Sequence, residues 1–306
     1  MCNVSINKTD NYQNLTGKIY DIFELHGGLR QFISRGDKVL LKPNLLVPRK
    51  SPLDPVITDP RMILAVAEVL KDYGARLSLG DSPAFSTVKT ILSKCGIYNR
   101  LLEMDVNVLE FNRPGNKWKS LTLDKALEEH DKLINLPKLK PHRQLMVTLS
   151  VKNLFGCVSG KRKALLHMSY GDKDNDFAEM LVGIYQKLKP AFTLVDAIEA
   201  MNKTGPRGGE MKHVGLIFAG VDCVAIDRVI CESMNLDSNE YRILRAARDL
   251  DAGEWRFEKI NLLGEKRIVP VSLELPQNIC ISFSPYRVLK STIKNMIIKR
   301  RQNKTR

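Results

Sequence analysis

The chain has 306 residues, 43% of them hydrophobic and 27% charged, with six cysteines and a formal charge of +14. That composition excludes a largely disordered chain, a collagen and a disulfide-stapled miniprotein, and the length allows one large or two ordinary domains. No apolar run reaches the roughly 20 residues of a membrane span, and the polar start MCNVSINKTDNYQNL has no signal-peptide core, so a soluble, cytoplasmic protein is expected.

Along the chain, apolar strand-like runs alternate with amphipathic helical segments, the rhythm of a parallel sheet covered on both faces. Residues 38–41 (KVLL) read as a buried strand running into Lys42-Pro43-Asn44, with a Pro/Asp-rich loop over 47–58. A helix over 60–73 is opened by Asp59 as N-cap and Pro60 in the first turn, and is closed by Gly74. Residues 76–79 form the next strand, ending in Gly80-Asp81-Ser82-Pro83, and a helix over 86–95 stops at Gly96. Strands follow over 106–111 and 132–136 (KLINL), the latter passing into residues 137–142. A helix over 174–188 has an apolar face of Phe177, Met180, Leu181, Ile184 and Leu188, and ends before Pro190. Strands over 192–195 and 214–218 and helices over 224–234 and 238–250 complete the pattern, which weakens beyond Glu254.

The expected architecture is α/β: an open, mostly parallel sheet with helices on both faces, plus a C-terminal basic amphipathic helix. Residues 1–35 read as an N-terminal extension with a first helix, 36–260 as the α/β domain, and 261–306 as weak strands and a basic tail. The last twenty residues hold eight cations and no acid, more than half of the net charge. Val288, Leu289, Ile293, Met296 and Ile297 recur there at helical spacing. Such a helix suits docking on the body of the protein, an anionic membrane surface, or nucleic acid. Only 7% of residues are aromatic and no basic–aromatic interleaving occurs, so nothing else supports nucleic acid.

Strand after strand passes from apolar residues into a polar cluster: Lys42/Asn44, Asp81/Ser82, Lys138/Lys140/His142 and Asp196/Glu199. Parallel strands place their carboxyl ends along one edge, where ligands bind, so these residues are expected to share a crevice. Lys42, Lys140 and Lys152 suit carboxylates or phosphates, and a desolvated lysine also serves as base or nucleophile. Asp81 and Asp196 suit a general base, a metal ligand or a hydroxyl acceptor, with helix capping as the plain alternative. His142 suits acid–base work and His167 an ordinary loop histidine. Asn44 and Asn153 join the binding set. The TGPRGG loop offers Arg207 as a fork and Gly208 and Gly209 as amide donors for an anion. The segment from Gly156 to Lys163 is a second basic, glycine-containing stretch with the look of a lid.

Cysteines at 2, 95, 157, 223, 231 and 280 are scattered, with no CxxC half-site for zinc or an iron–sulfur cluster, and no metal site is expected. The segments VLLKPNLL, ITDPRMI, LGDSPA, LINLPKLKPH, VTLSVKNLFGCVSGKRKALLH, LVDAIEAMNKTGPRGG and IFAGVDCVAIDRVI together resemble the domain of unknown function 362 family, over about residues 36–235. The positions that match the family pattern are Lys42, Asn44, Asp59, Asp81, Lys140, His142, Lys152, Asn153, Asp196, Gly205, Gly208 and Asp227. The resemblance implies no particular reaction. Many members carry a ferredoxin-like module with two four-iron clusters, from which this chain departs, since its cysteines lack the close spacing.

The reading is an enzyme for a small anionic substrate at the strand ends, its cofactor left open. Lys152, Asp81, Asp196 and His142 carry the chemistry, while Lys42, Asn44, Lys140, Asn153, Arg207, Gly208 and Gly209 bind. Two other readings stand beside it. One is a redox protein working with a separate iron–sulfur partner, and the other a non-catalytic adaptor for anions or membrane surfaces.

Overall fold

Val39 and Leu41 pack on one face of the central sheet and Leu40 on the other, because successive strand side chains point to opposite faces. That two-sided burial is why KVLL is apolar without alternation. The computed structural model describes residues 2–119, 121–159 and 175–275. His167, the residues at 160–163 and the tail at 287–306, all singled out above, lie outside the described residues.

Eight strands form the main sheet. In chain order they are β1 (Cys2–Lys8), β2 (Lys38–Pro43), β3 (Arg76–Asp81), β4 (Val106–Glu110), β7 (Lys132–Leu136), β10 (Phe192–Asn202), β11 (Glu210–Gly220) and β12 (Ile260–Gly264). Two small ribbons pair β5 (Pro114–Trp118) with β6 (Leu121–Asp124), and β8 (Lys140–His142) with β9 (Met146–Thr148). The order across the sheet is β12-β1-β11-β10-β7-β2-β3-β4. Only β11 among them opposes its neighbours; every other pairing in the sheet is parallel. The fold is therefore α/β, with an open and mostly parallel sheet.

Helices α1 (Leu15–Leu25), α2 (Pro60–Tyr73), α3 (Val88–Lys94) and α4 (Tyr98–Glu103) cover the face that receives Val39 and Leu41. The short α5 (Ser150–Asn153), with α6 (Asp176–Leu188), α7 (Cys223–Ser233) and α8 (Arg242–Asp249), covers the face that receives Leu40. The local signals for α2 operate as expected. The Asp59 carboxylate accepts from the Arg61 N–H, and Gly74, at φ 99°, closes the helix in a left-handed turn.

Parts of the chain differ from the sequence reading. Residues 2–8, inside the expected extension, form an inner strand between β11 and β12. The strands at 192–195 and 214–218 are the inner ends of a long antiparallel hairpin, whose polar outer arms run to Asn202 and from Glu210 past a bulge at Ala197/Glu199. The helix expected over 238–250 is confined to Arg242–Asp249.

From β2 the chain moves outward to β3 and β4, then returns to lay β7 on the other side of β2 and β10 beyond it. The carboxyl ends of β2 and β7 thus flank the point where successive connections diverge to opposite faces, the usual crevice of an open α/β sheet.

Candidate functional site

The last residues of β2 and β7 sit side by side, with Lys42 opposite Asn135 and Pro43 opposite Leu136. Lys42, Lys138 and Lys140 are 0%, 1% and 2% exposed, so three ammonium-bearing chains are taken out of water within one strand-end region. Burying a charge is costly unless it is paired, and the three lysines solve that problem differently.

Lys42 Nζ lies 3.0 Å from Asp81 Oδ1 and donates to the Pro43 carbonyl at 2.7 Å. Asp81, at the end of β3, also accepts from the Leu45 and Ser82 N–H groups at 2.8 and 2.7 Å. Gly156 closes over this pair. A Cβ there would stand 2.3 Å from Asp81 Oδ1 and 2.6 Å from Lys42 Nζ, so the close approach requires glycine.

Lys138 is paired on the α1/α2 side. Its Nζ reaches Asp196 Oδ2 at 2.8 Å and the Tyr12 hydroxyl at 3.0 Å, and that hydroxyl donates to Asp196 Oδ1 at 2.7 Å. Burial and the neighbouring Asp196 carboxylate push the Tyr12 phenol up. Asp196 Oδ2 also takes the Asp59 N–H at 2.8 Å. Arg49 and Arg61 bind the Asp59 carboxylate, and these contacts hold it below its ordinary value against the opposing effect of burial. Asp196 is thereby fixed at the start of α2, fully buried and engaged on both oxygens.

Lys140 is different. Its Nζ donates to Asn44 Oδ1 at 2.6 Å and to the Val56 carbonyl at 2.7 Å, and among the described residues it has no ion-pair partner. Burial first, then the charge of Lys152, bring its ammonium down to about 7, with Lys138 and Lys42 adding to the effect and Asp81 opposing it.

The asparagines bind these strands together. Asn44 donates to Asn153 Oδ1 at 3.0 Å, and Asn153 Nδ2 reaches the Lys42 carbonyl at 3.1 Å and Asn135 Oδ1 at 2.8 Å. Asn153 belongs to α5, whose Ser150 and Val151 N–H groups are received by the buried Asp227 of α7 at 2.8 and 3.3 Å. Burial pushes the Asp227 carboxyl up to about 7, against those hydrogen bonds. Lys152, half-buried on the same turn, holds its ammonium 4.6 Å from the Phe155 ring centre and 5.6 Å from that of Phe177.

His142 stands two residues after Lys140 on β8, half-buried, its Nδ1 accepting from the Gln144 N–H at 3.3 Å. The hairpin loop returns to this ribbon, since a Cβ on Gly205 would collide with the Pro141 carbonyl. From that loop the exposed Arg207 stacks its guanidinium 4.7 Å from the Phe85 ring centre, joining the loops after β10 and β3. Gly208, at φ 78°, has open space around it.

The structure thus brings Lys42, Asn44, Asp81, Lys140 and Asn153 into one network, on which the charge of Lys152 acts, and sets Asp196 in a second, separate one around Lys138. Arg207, Gly208 and Gly209 lie on the hairpin loop over the same edge. Sequence reasoning does not single out Tyr12 or Asn135, places Lys138 only in a strand-end run, and assigns Gly156 to a lid-like stretch, whereas Gly156 packs against the Lys42–Asp81 pair. Tyr12 lies in a polar stretch with no signal at all. Among the described residues no group of three His, Cys, Asp or Glu side chains could hold a metal ion, and no helix is long and apolar enough to cross a membrane.

A family model, "Domain of unknown function (DUF362)", matches residues 39–232, which contain every residue of both networks except Tyr12. The chain is 35% identical over 305 residues to the "Thylakoid-associated protein sll1697" of Synechocystis sp. (strain ATCC 27184 / PCC 6803 / Kazusa), covering 97% of this chain and 95% of that protein. Among solved structures, it is similar to the lactate racemase apoprotein from Thermoanaerobacterium thermosaccharolyticum, with a TM-score of 0.45 and 13% identity, over 71% of this chain and 53% of that one. A protein from Thermotoga maritima gives a TM-score of 0.42 and 14% identity, over 67% of this chain and 56% of that one. The chain therefore spans only about half the length of either solved structure.

Proposed function

We propose that this chain, which belongs to the DUF362 family, is an enzyme that holds a small anionic substrate at the carboxyl ends of β2 and β7. The observation that carries the reading is Lys140, a buried amine with neutral hydrogen-bond partners at the topological switch point. Lys42 and Lys138 are already matched by Asp81 and Asp196, so they build the site's framework. Lys152 and Arg207, with the amides of Gly208 and Gly209, supply the positive field for a carboxylate or phosphate. Lys140, brought down to about 7, takes or gives a proton at the bound molecule near neutral pH, with His142 two residues along β8. The test is a thermal-shift and calorimetric screen of carboxylates and phosphates. The expected result is saturable stabilisation by at least one of them, weakened about tenfold in Lys152→Ala, as loss of one charge-assisted contact implies. Stabilisation by none, or by all equally and unchanged in Lys152→Ala, would overturn the reading.

A second reading concerns location and is compatible with the first. The last described residues lie beside the hairpin: Lys203 N–H donates to the Glu274 carbonyl and Glu274 N–H to Asn202 Oδ1. The eight cations at 287–306 follow in sequence from these last described residues. The 35% identical relative is a thylakoid-associated protein. We infer attachment to an anionic membrane surface through residues 287–306. Sedimentation with anionic vesicles should fall with added salt and be lost on deleting those residues; equal sedimentation of the truncated chain would refute it.

A further inference from the structure

The hairpin that joins β10 to β11 reaches well past the sheet, and its base is firmly held. Lys203 Nζ meets Glu210 Oε1 at 2.9 Å, the Lys203 N–H donates to the Glu274 carbonyl at 3.0 Å, and the Glu274 N–H donates to Asn202 Oδ1 at 2.7 Å. Beyond that base, Gly205 lies against the Pro141 carbonyl of β8, and Arg207 sets its guanidinium 4.7 Å from the Phe85 ring centre. Phe85 belongs to the loop after β3, and β3 stands three places from β10 in the order β10-β7-β2-β3. At about 4.8 Å per strand those three steps come to about 14 Å, more than an arginine side chain spans. The tip of the hairpin therefore leans across the carboxyl ends of β7 and β2, the strands that lead into Lys42, Asn44 and Lys140.

The two partners of the Arg207–Phe85 contact are held unequally. Phe85 stands on a short post. At its start the Ser82 N–H donates to the Asp81 carboxylate at 2.7 Å, and at its end the Thr87 hydroxyl caps α3, accepting the Thr90 N–H at 3.1 Å. Arg207 stands on a strap with glycines at 205, 208 and 209, of which Gly208 adopts φ 78°. Both side chains of the contact are exposed, Phe85 by 49%. A cation–π contact in that setting biases an equilibrium only about two- to fivefold, enough to favour one state and little enough to let it open. We propose that Phe85 is a positioning residue that latches this strap through Arg207, and that the strap gates the strand-end site. When the latch opens, a small molecule enters between the hairpin and the loop after β3; when it closes, Arg207 and the amides of Gly208 and Gly209 come over that molecule. The inference rests on the anion-site reading for what enters, and adds to it the control of access.

The test compares the full chain with Phe85→Ala and Phe85→Trp by two readouts that need no ligand. One is amide hydrogen exchange across 204–209. The other is the rate at which diethyl pyrocarbonate modifies His142, half-buried beside Pro141 on β8, with the exposed His213 of β11 as internal reference. In Phe85→Ala both rates should rise about two- to fivefold, with His213 and the core amides unchanged. Tryptophan is the better cation–π partner, so Phe85→Trp should return both rates to the parent values or below, which lost packing alone does not explain. Exchange that is unchanged in Phe85→Ala overturns the latch. Faster exchange with an unchanged His142 rate overturns the gate. Oxalate, added as the probe anion, separates this inference from the reading beneath it. Slower exchange across 204–209 with oxalate supports both, whereas a response to Phe85→Ala with no effect of oxalate leaves the strap and removes the anion site.

Discussion

Gly156 is the position where a single methyl group tests the geometry of the site. In Gly156→Ala the new Cβ would lie 2.3 Å from Asp81 Oδ1, 2.5 Å from Lys42 Cε and 2.6 Å from Lys42 Nζ, closer than van der Waals contact allows. Both partners are pinned, Lys42 at 0% and Asp81 at 4% side-chain exposure, and Asp81 also serves two backbone N–H groups. If the backbone gives way and the pair survives, the cost is that of an overpacked core, roughly 1–3 kcal/mol. If the pair parts, an uncompensated buried charge costs about 3–5 kcal/mol. The pinning favours the second. At about 2 °C per kcal/mol for a chain of this size, the melting temperature should fall by about 6–10 °C. Circular dichroism melts measure it. The same glycine change in a Lys42→Met/Asp81→Leu background should cost about 2 kcal/mol less, because overpacking remains but no buried ion pair is left to part. A melting temperature within about 1 °C of the parent, or an equal cost in both backgrounds, would refute the placement of Gly156 over the pair.

Other expectations follow from the same network. Lys140, brought down to about 7, is unprotonated in the folded chain between there and its ordinary value of 10.5, while the unfolded chain is protonated. Its contribution to stability therefore rises with pH by about 1.4 kcal/mol per unit above pH 7, and urea titrations at pH 7 to 8.5 should lose that rise in Lys140→Met. Asp227 has the opposite sign. Pushed up to about 7 from 3.8, it keeps a proton in the folded chain that the unfolded chain has lost, so its contribution falls from pH 4 to 7. His26, lowered by burial to about 4, offsets that fall, and Asp227→Asn should therefore show stability rising with pH over 4 to 6.5 relative to the parent. Asp196→Asn leaves Lys138 without its buried counter-charge and should cost about 3–5 kcal/mol in urea unfolding, with a much smaller loss for Lys138→Met/Asp196→Leu. In Gly205→Ala the methyl meets the Pro141 carbonyl, so the hairpin loop must leave β8; faster hydrogen exchange across 203–210 with the core unchanged reports it.

Elements specified by neighbouring residues were legible in the sequence. Asp59, Pro60 and Gly74 bracket α2 by local chemistry alone, and the two-sided burial of the parallel strands makes them continuous apolar runs. The first strand was not legible, because its buried residues include Ser5 and Asn7 as well as Val4 and Ile6, and polar burial there depends on partners in β11. The outer arms of β10 and β11 were missed for a related reason: they carry polar residues and a bulge, and each is a strand only because the other is beside it. The strand-end rule gathered Lys42, Asn44, Asp81 and Lys140, but it could not apportion charges among them. Lys138 and Lys140 are two residues apart, and the carboxylate that claims one of them comes from Asp196, 58 residues away. Which amine remains unpaired is a property of the assembled sheet.

That amine is the centre of the account, and its protonation can be read directly. In the 1H–13C correlation spectrum of lysine Cε groups, with Lys140→Arg identifying the resonance, Lys140 should titrate near pH 7, well below the ordinary lysine value. Added oxalate should move that resonance before the others. A Lys140 signal that stays protonated to pH 9.5 and is indifferent to oxalate would contradict both the neutral amine and the anion site built around it.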